Sequence, residues 1–478
     1  MLFSSMEFVF VFLPVVMGIN LLLRGRARNY WLLLCSLLFY AWGEPSFVLV
    51  MIGSIVVNYL LALAISRRAD QPGRKKALLV LDIVCNLSLL FVFKYLNFVT
   101  RTVRGWFPQL IPLIPATSIA LPIGISFFTF QAMSYVIDVY RGTPAQKNPA
   151  YIGLYISLFP QLIAGPIVRY STISEQIESR KITLSDFSEG CLIFLRGFNK
   201  KILLANVLSE IADLSFGSSG LTVGMAWLGA LCYTLQIYFD FGGYSDMAIG
   251  LGKMLGFHFE KNFDYPYISG TVTEFWRRWH ISLGSWFRDY VYFPLGGSRV
   301  GSKALLIRNL MIVWLLTGIW HGAEWTFILW GLLYGLLITG EKLSGIPRKL
   351  KQPGHGAEKA LYRAFTLLVV LLGWVLFRAD NLPQAGGYLR TMFGLNQMPL
   401  ADGTLLFYLR DYRVPLAAGL LCSTPFFGWL KTKIAGEGEG ARAAAAEAVT
   451  WIFQLALFLC SVGALLMGAH NPFIYFNF

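Results

Sequence analysis

Residues Phe47–Ser66 read FVLVMIGSIVVNYLLALAIS, a run without a single charge. A helix needs roughly 20 such residues to cross a hydrocarbon core, so this stretch commits the chain to a membrane. Comparable runs occupy Met6–Leu23, Ala77–Phe93, Leu221–Phe239 and Val449–Met467. They are continuous rather than alternating, which excludes a transmembrane barrel. The 478 residues are 56% hydrophobic and only 14% charged, against about a quarter charged in soluble proteins, so a soluble multidomain enzyme is short of surface. The expectation is an all-α polytopic integral membrane protein of about eleven to thirteen helical segments, some too short to cross alone.

The net charge of +14 is not a nucleic-acid signal here, because basic residues gather in the cytoplasmic loops of membrane proteins. They do cluster, in RGRAR (Arg24–Arg28), RRADQPGRKK (Arg67–Lys76) and the loop Ile346–Arg363. Placing these inside puts the N-terminus outside. The first apolar run has no basic flank before it and no small-residue cleavage site, so it reads as a retained helix. The six cysteines (35, 85, 191, 232, 422, 460) show no paired spacing and read as buried packing.

Function concentrates where apolar runs break, since irregular backbone is tolerated at depth only inside protein or around a cavity. Leu121–Gly142 carries Gln131, Ser134 and Asp138 at helical spacing, a shared polar stripe. Leu158–Tyr170 sets two prolines around Gln161. Tyr238–Gly256 places Asp240 and Asp246 on either side of Gly242–Gly243, with Tyr244 between them. Kinked helices packing through glycine are the plain reading of any one break, but ionisable residues inside a membrane are costly and usually have a partner or a task.

The richest break is EFWRRWHISLGSWFRDYVYFPLGG, Glu274–Gly297. Read as one helix, it aligns Trp276, Trp279, Leu283, Trp286, Phe287 and Tyr290 in an aromatic stripe, with Arg277, Arg278 and Arg288 elsewhere, as an interfacial helix would. His280 points to the buried side, while the arginines read as interface anchors or phosphate contacts. Further on, the apolar helix Met311–Trp320 delivers WHGAE, placing His321 after Trp320 and before Gly322, which leaves room for a ligand or another backbone. A desolvated imidazole stays neutral and can accept a proton, so the two inward histidines suit general-base work on a hydroxyl beside an acyl thioester. The five histidines (258, 280, 321, 355, 470) lack the paired spacing of a metal site, and none is expected. His355 and His470 read as bystanders, and His258 stays open.

FWRRWHISLGSWFRDYVYFPLGGSR together with TGIWHGAEWTFILWGLLYG resembles the membrane-bound O-acyltransferase family, nearest to its alginate O-acetyltransferase branch. The similarity continues through LPIGISFFTFQAMSYVIDVYRG, FPQLIAGPIVRY, IYFDFGGYSDMAIGLGKMLGF and GWVLFRAD. The resemblance implies a single membrane-embedded domain over 1–478, a catalytic core across 118–345, and helices around a central funnel. The region 394–440 is less diagnostic, its GEGEGARAAAAEA stretch reading as a loop leading into the last helix.

The same resemblance makes His321 and His280 the catalytic positions. Trp276, Trp279, Arg277, Arg278, Asp240, Tyr244, Asp246 and Trp320 become donor- or acceptor-binding residues, with Lys253 or Arg299 as further phosphate contacts. It implies acetyl transfer from cytosolic acetyl-CoA to an exported polysaccharide, directly or through an extracytoplasmic SGNH-type partner, in a bacterial inner membrane. Two alternatives stand beside it: D-alanyl transfer to teichoic acid, and a proton-coupled secondary transporter.

Overall fold

The computed structural model describes residues 1–350, 352–435, 440–468 and 471–472. His470 and part of the GEGEG stretch therefore lie outside the described residues. Among the described residues the secondary structure is helical, and six helices are long and apolar enough to cross a membrane: Phe47–Ser66, Pro72–Trp106, Lys303–His321, Trp325–Ser344, Gly356–Arg378 and Ala441–Leu466. The chain is a multi-pass all-α membrane protein, as expected. It gathers into two compact units, one of residues 1–194 and 247–260, the other of 195–246 and 261–478. Residues 118–345 draw on both units.

In the first unit, the apolar run Phe47–Ser66 forms one helix over those same residues, and Ala77–Phe93 lies within the longer helix Pro72–Trp106. Their outward faces are apolar, with Leu49 and Leu60 well exposed, a surface that only lipid can cover at low cost. Between the helices, Asn58 and Asn86 exchange hydrogen bonds of 3.0 and 3.2 Å, so each buried amide satisfies the other. The helix Ile125–Arg141 is buried along almost its entire length. The predicted stripe of Gln131, Ser134 and Asp138 is on it and buried, with Ser134 Oγ donating to the Gln131 carbonyl at 2.8 Å. Gly124 starts this helix at φ +75°, and a Cβ there would stand 2.7 Å from the Leu162 carbonyl oxygen. Both the turn and the close approach require glycine.

In the second unit, the run Leu221–Phe239 enters a helix at Val223 that continues beyond it to Met254, and the last turns from Met247 belong to the first unit. Two crossing helices dominate the packing, Lys303–His321 and Trp325–Ser344. They meet through Gly318 and Gly331, where a Cβ on Gly331 would come within 2.5 Å of the Trp314 carbonyl oxygen and 2.9 Å of Gly318 Cα. Small residues that let backbones approach are the usual basis of helix association in lipid. The cysteine expectation holds for Cys35 and Cys232, which are buried, but Cys85 and Cys460 are exposed. They occupy outward faces of apolar helices, where an apolar run says nothing about which side faces the protein.

Candidate active site

The stretch Glu274–Gly297 does not form the single helix its spacing suggests. Val272–Arg278 is a short helix, Ile281–Phe287 is another, and between them His280 adopts a left-handed conformation, φ 45° and ψ 55°. Histidine is among the few side chains that visit this region with any frequency, and the strain persists only where neighbours over-determine it. Here they do. The Asp264 N–H donates to the Arg278 carbonyl and the Ile281 N–H to the Asn262 carbonyl, each at 2.9 Å, clamping the chain on both sides of the break.

The first short helix is held from outside. Thr271 Oγ1 accepts the Glu274 N–H, and the Glu274 carboxylate accepts the Gly270 N–H, a near relative of the capping box. Buried Glu341, from the helix Trp325–Ser344, accepts the N–H groups of Val272 and Thr273 with its two oxygens at 2.8 Å. A carboxylate on first-turn N–H groups satisfies donors that a helix cannot satisfy itself and sits at the favourable end of its dipole.

His280 is buried, and its Nδ1 lies 3.1 Å from Asn262 Oδ1. Its ring stands edge-on to Phe241 at 4.7 Å and to Trp320 at 5.9 Å. Burial, in a segment outside the six crossing helices, pulls the imidazole pKa down to about 3, so this ring is neutral. Trp320 in turn touches His321, with ring centroids 5.0 Å apart. His321 closes the helix Lys303–His321 and packs edge-to-face on Trp330 at 5.1 Å and Phe377 at 5.3 Å. The two buried imidazoles are thus linked through one indole and walled by aromatic rings. Gly322 receives the ring of Phe327, which fills the space that a Cβ would need; the close neighbour of this glycine is a side chain.

The remaining predicted residues divide into three groups. Trp276 and Trp279 belong to the aromatic core behind the site: Trp276 packs on Trp314, Trp330 and Tyr334, and Trp279 on Trp374 at 4.8 Å. Arg277 is exposed, whereas Arg278 is held by Asp264 and Glu274 at 3.0 Å. Asp240 pairs with buried Lys201, and Asp246 with Lys200, each at 2.6 Å. Gly243 explains both: a Cβ there would stand 2.7 Å from the Gly197 carbonyl oxygen, so only glycine lets the lysine-bearing turn come close enough. Tyr244 is buried on the same helix.

Two further phosphate candidates separate. Arg299 is exposed, and Lys253, in the first unit, pairs with Glu189 at 2.6 Å. Also in the first unit, His258 is exposed and lies 3.4 Å from Asp186; in the second, His355 lies 3.3 Å from Glu358. Sequence reasoning missed Asn262, Ser282, Phe241, Phe377 and Glu341. Asn262 stands four residues past His258 in a polar segment with no motif of its own, and Glu341 reads as the charged end of an apolar helix.

Comparison with known proteins bears on this arrangement. Residues 145–373 match the MBOAT, membrane-bound O-acyltransferase family. The chain is 45% identical to a probable alginate O-acetylase of Pseudomonas aeruginosa over 410 residues, covering 84% of this chain and 76% of that one. It is 37% identical to a peptidoglycan O-acetyltransferase of Helicobacter pylori over 437 residues, 84% and 81% of the two chains. A teichoic acid D-alanyltransferase of Streptococcus thermophilus is 28% identical over 280 residues, 53% of this chain and 68% of its own. With such similarity over most of its length, the chain belongs to the membrane-bound O-acyltransferase family and is a membrane-embedded O-acyltransferase.

Proposed function

We propose that this enzyme moves an acetyl group from cytosolic acetyl-CoA to a hydroxyl of an exported polysaccharide, with His321 as the general base. The observation that carries the reading is the pair of buried imidazoles joined through Trp320. Relatives named as a probable alginate O-acetylase and a peptidoglycan O-acetyltransferase, each matched over most of its length, support the choice of acyl group.

In the reaction, the hydroxyl oxygen attacks the thioester carbonyl carbon as His321 takes the hydroxyl proton. The carbon–sulfur bond then breaks, and the proton passes to the departing thiolate. Base catalysis of this kind is worth about 10²–10⁴-fold. His280, packed against Trp320, contacts the reacting groups, while exposed Arg277 is available to a phosphate of the donor as a charge-assisted partner. Asp240, Asp246 and Tyr244 act behind the site, through the helix that carries Phe241. The acceptor is either the polymer itself or a serine of an extracytoplasmic SGNH-type protein that passes the acetyl on. The setting is a bacterial inner membrane with the N-terminus outside.

The test is radiolabelled acetyl incorporation into exported polymer by membranes carrying His321→Ala, where incorporation falls at least about 100-fold; unchanged labelling would refute the assignment. Offering purified protein acetyl-CoA or a D-alanyl carrier protein separates the acetyl reading from D-alanyl transfer.

A further inference from the structure

A neutral imidazole has one nitrogen that donates and one that accepts, and which is which decides what His280 can do. If Nε2 carries the proton, the ring can polarise a thioester carbonyl. If Nε2 is bare, it can only accept from an O–H or an N–H. The distinction follows from the amide beside it. The Asn262 carboxamide could in principle be turned either way, but the backbone N–H of Ser282 points at it from 3.2 Å. A backbone N–H only donates, so the atom facing it is the oxygen. That same oxygen lies 3.1 Å from His280 Nδ1 and accepts the Ser282 hydroxyl at 2.9 Å. The other neighbour of Nδ1, Ser282 Oγ, is farther away at 3.4 Å and gives its hydrogen to Asn262, so the nitrogen facing the acceptor oxygen brings the hydrogen, which places the proton on Nδ1 and leaves a lone pair on Nε2.

Three further observations agree. Asn262 is itself buried and held by its backbone, since its carbonyl accepts the Ile281 N–H at 2.9 Å. The left-handed turn at His280 is flanked by backbone hydrogen bonds to the Asn262 and Asp264 stretch of chain, which keeps the histidine beside that amide. Among the described residues, Nε2 is buried with no hydrogen-bond partner, the arrangement of an acceptor kept for a group that the protein does not supply.

We infer that Asn262 is a positioning residue that locks His280 in its Nδ1–H form, so that His280 serves the reaction as a hydrogen-bond acceptor for a substrate O–H or N–H and does not polarise the thioester carbonyl. The role in the reaction rests on the proposed function above; the tautomer rests on the Asn262 contacts alone.

The test uses full-length protein labelled with ¹⁵N-histidine in lipid nanodiscs, with the His280 resonances assigned by their loss in His280→Ala. The wild-type spectrum shows a protonated Nδ1 and a bare Nε2. Asn262→Asp keeps an acceptor oxygen and keeps that spectrum. Asn262→Leu removes the oxygen, releases the tautomer, and lowers kcat about 10- to 100-fold, the cost of losing a partner that orients a metal-bound histidine, with the KM for acetyl-CoA unchanged. An Nε2–H signal in the wild type, or kcat in Asn262→Leu within twofold of wild type, would overturn the inference, and the wild-type and aspartate spectra decide it even if the leucine variant does not fold. Full acetyl transfer by His280→Ala with a bare-Nε2 spectrum would overturn the acceptor role and the site reading beneath it, whereas an Nε2–H spectrum with transfer lost would overturn the tautomer and the acceptor role together and leave the site reading standing.

Discussion

The helix Phe47–Ser66 and the segment 271–287 handle buried polarity in opposite ways. In the first, Asn58 meets Asn86 across an unbroken pair of helices, and each amide answers the other. In the second, two short helices are separated by a left-handed histidine, and polarity is satisfied from outside, by Glu341 on two backbone N–H groups and by Asn262 on an imidazole. A continuous helix satisfies its own backbone in lipid, so a polar side chain there can be purely structural. A broken one needs donors and acceptors from elsewhere in the fold. Those extra constraints are what can hold an imidazole in one orientation among aromatic rings.

The contrast is tested most severely by pairing His321→Ala with Asn58→Leu. The first abolishes acetyl labelling, by at least about 100-fold, with the melting temperature in detergent unchanged. The second leaves labelling per folded molecule intact while costing about 1 kcal/mol of stability, the scale of an interhelical hydrogen bond in a membrane. If both lose activity in proportion to stability, the two regions do not differ in kind.

Gly331→Val should come next, because its Cβ would collide with the Trp314 carbonyl oxygen and with Gly318. Overpacking of this sort costs about 1–3 kcal/mol, and separating the two helices displaces His321, so labelling falls with the melting temperature. Glu341→Ala leaves two N–H groups without their acceptor, at about 1–3 kcal/mol for an unsatisfied buried group, whereas Glu341→Gln retains one acceptor oxygen and loses less. Equal losses in the two variants would show that the carboxylate charge, and not its pair of oxygens, secures the short helix.

The smallest effect lies in the first unit. The Thr183 hydroxyl, with His258 and Lys253 nearby, holds the Asp186 carboxyl below its ordinary value of 3.8. A depressed carboxylate contributes stability above its unfolded pKa and loses it as pH falls through the folded one. A thermal scan should therefore show a slight drop in melting temperature below about pH 4, which Asp186→Asn reduces. Acetyl transfer measured at neutral pH stays at the wild-type level in that variant.

Much of the molecule was legible in the sequence, residue by residue. The Phe47–Ser66 helix could be read directly because length and lack of charge decide a membrane helix locally. His321 could be read because an imidazole at the end of an apolar run has few cheap explanations. The aspartates around Gly242–Gly243 were visible as costly charges, but their partners Lys200 and Lys201 were not. Nothing in a linear pattern says which turn will lie against a glycine pair. The break at His280 was hidden for a related reason. Trp276, Leu283 and Trp286 keep helical spacing across it, and the force that bends the chain comes from residues 262–264, a hairpin's distance away.

Composition and periodicity by themselves determined that this chain lives in a bilayer, that it is helical, and that two histidines and a cluster of tryptophans stand where the helices fail. These are properties of each segment's exchange with lipid and water, and need no knowledge of neighbours. The tertiary structure alone decided that Trp320 joins the two imidazoles, that Arg278 is held by carboxylates while Arg277 stays exposed, and that Asn262 faces His280. Hydrogen bonds and ring contacts depend on distance and angle between residues far apart in the chain, and only the packed fold sets those.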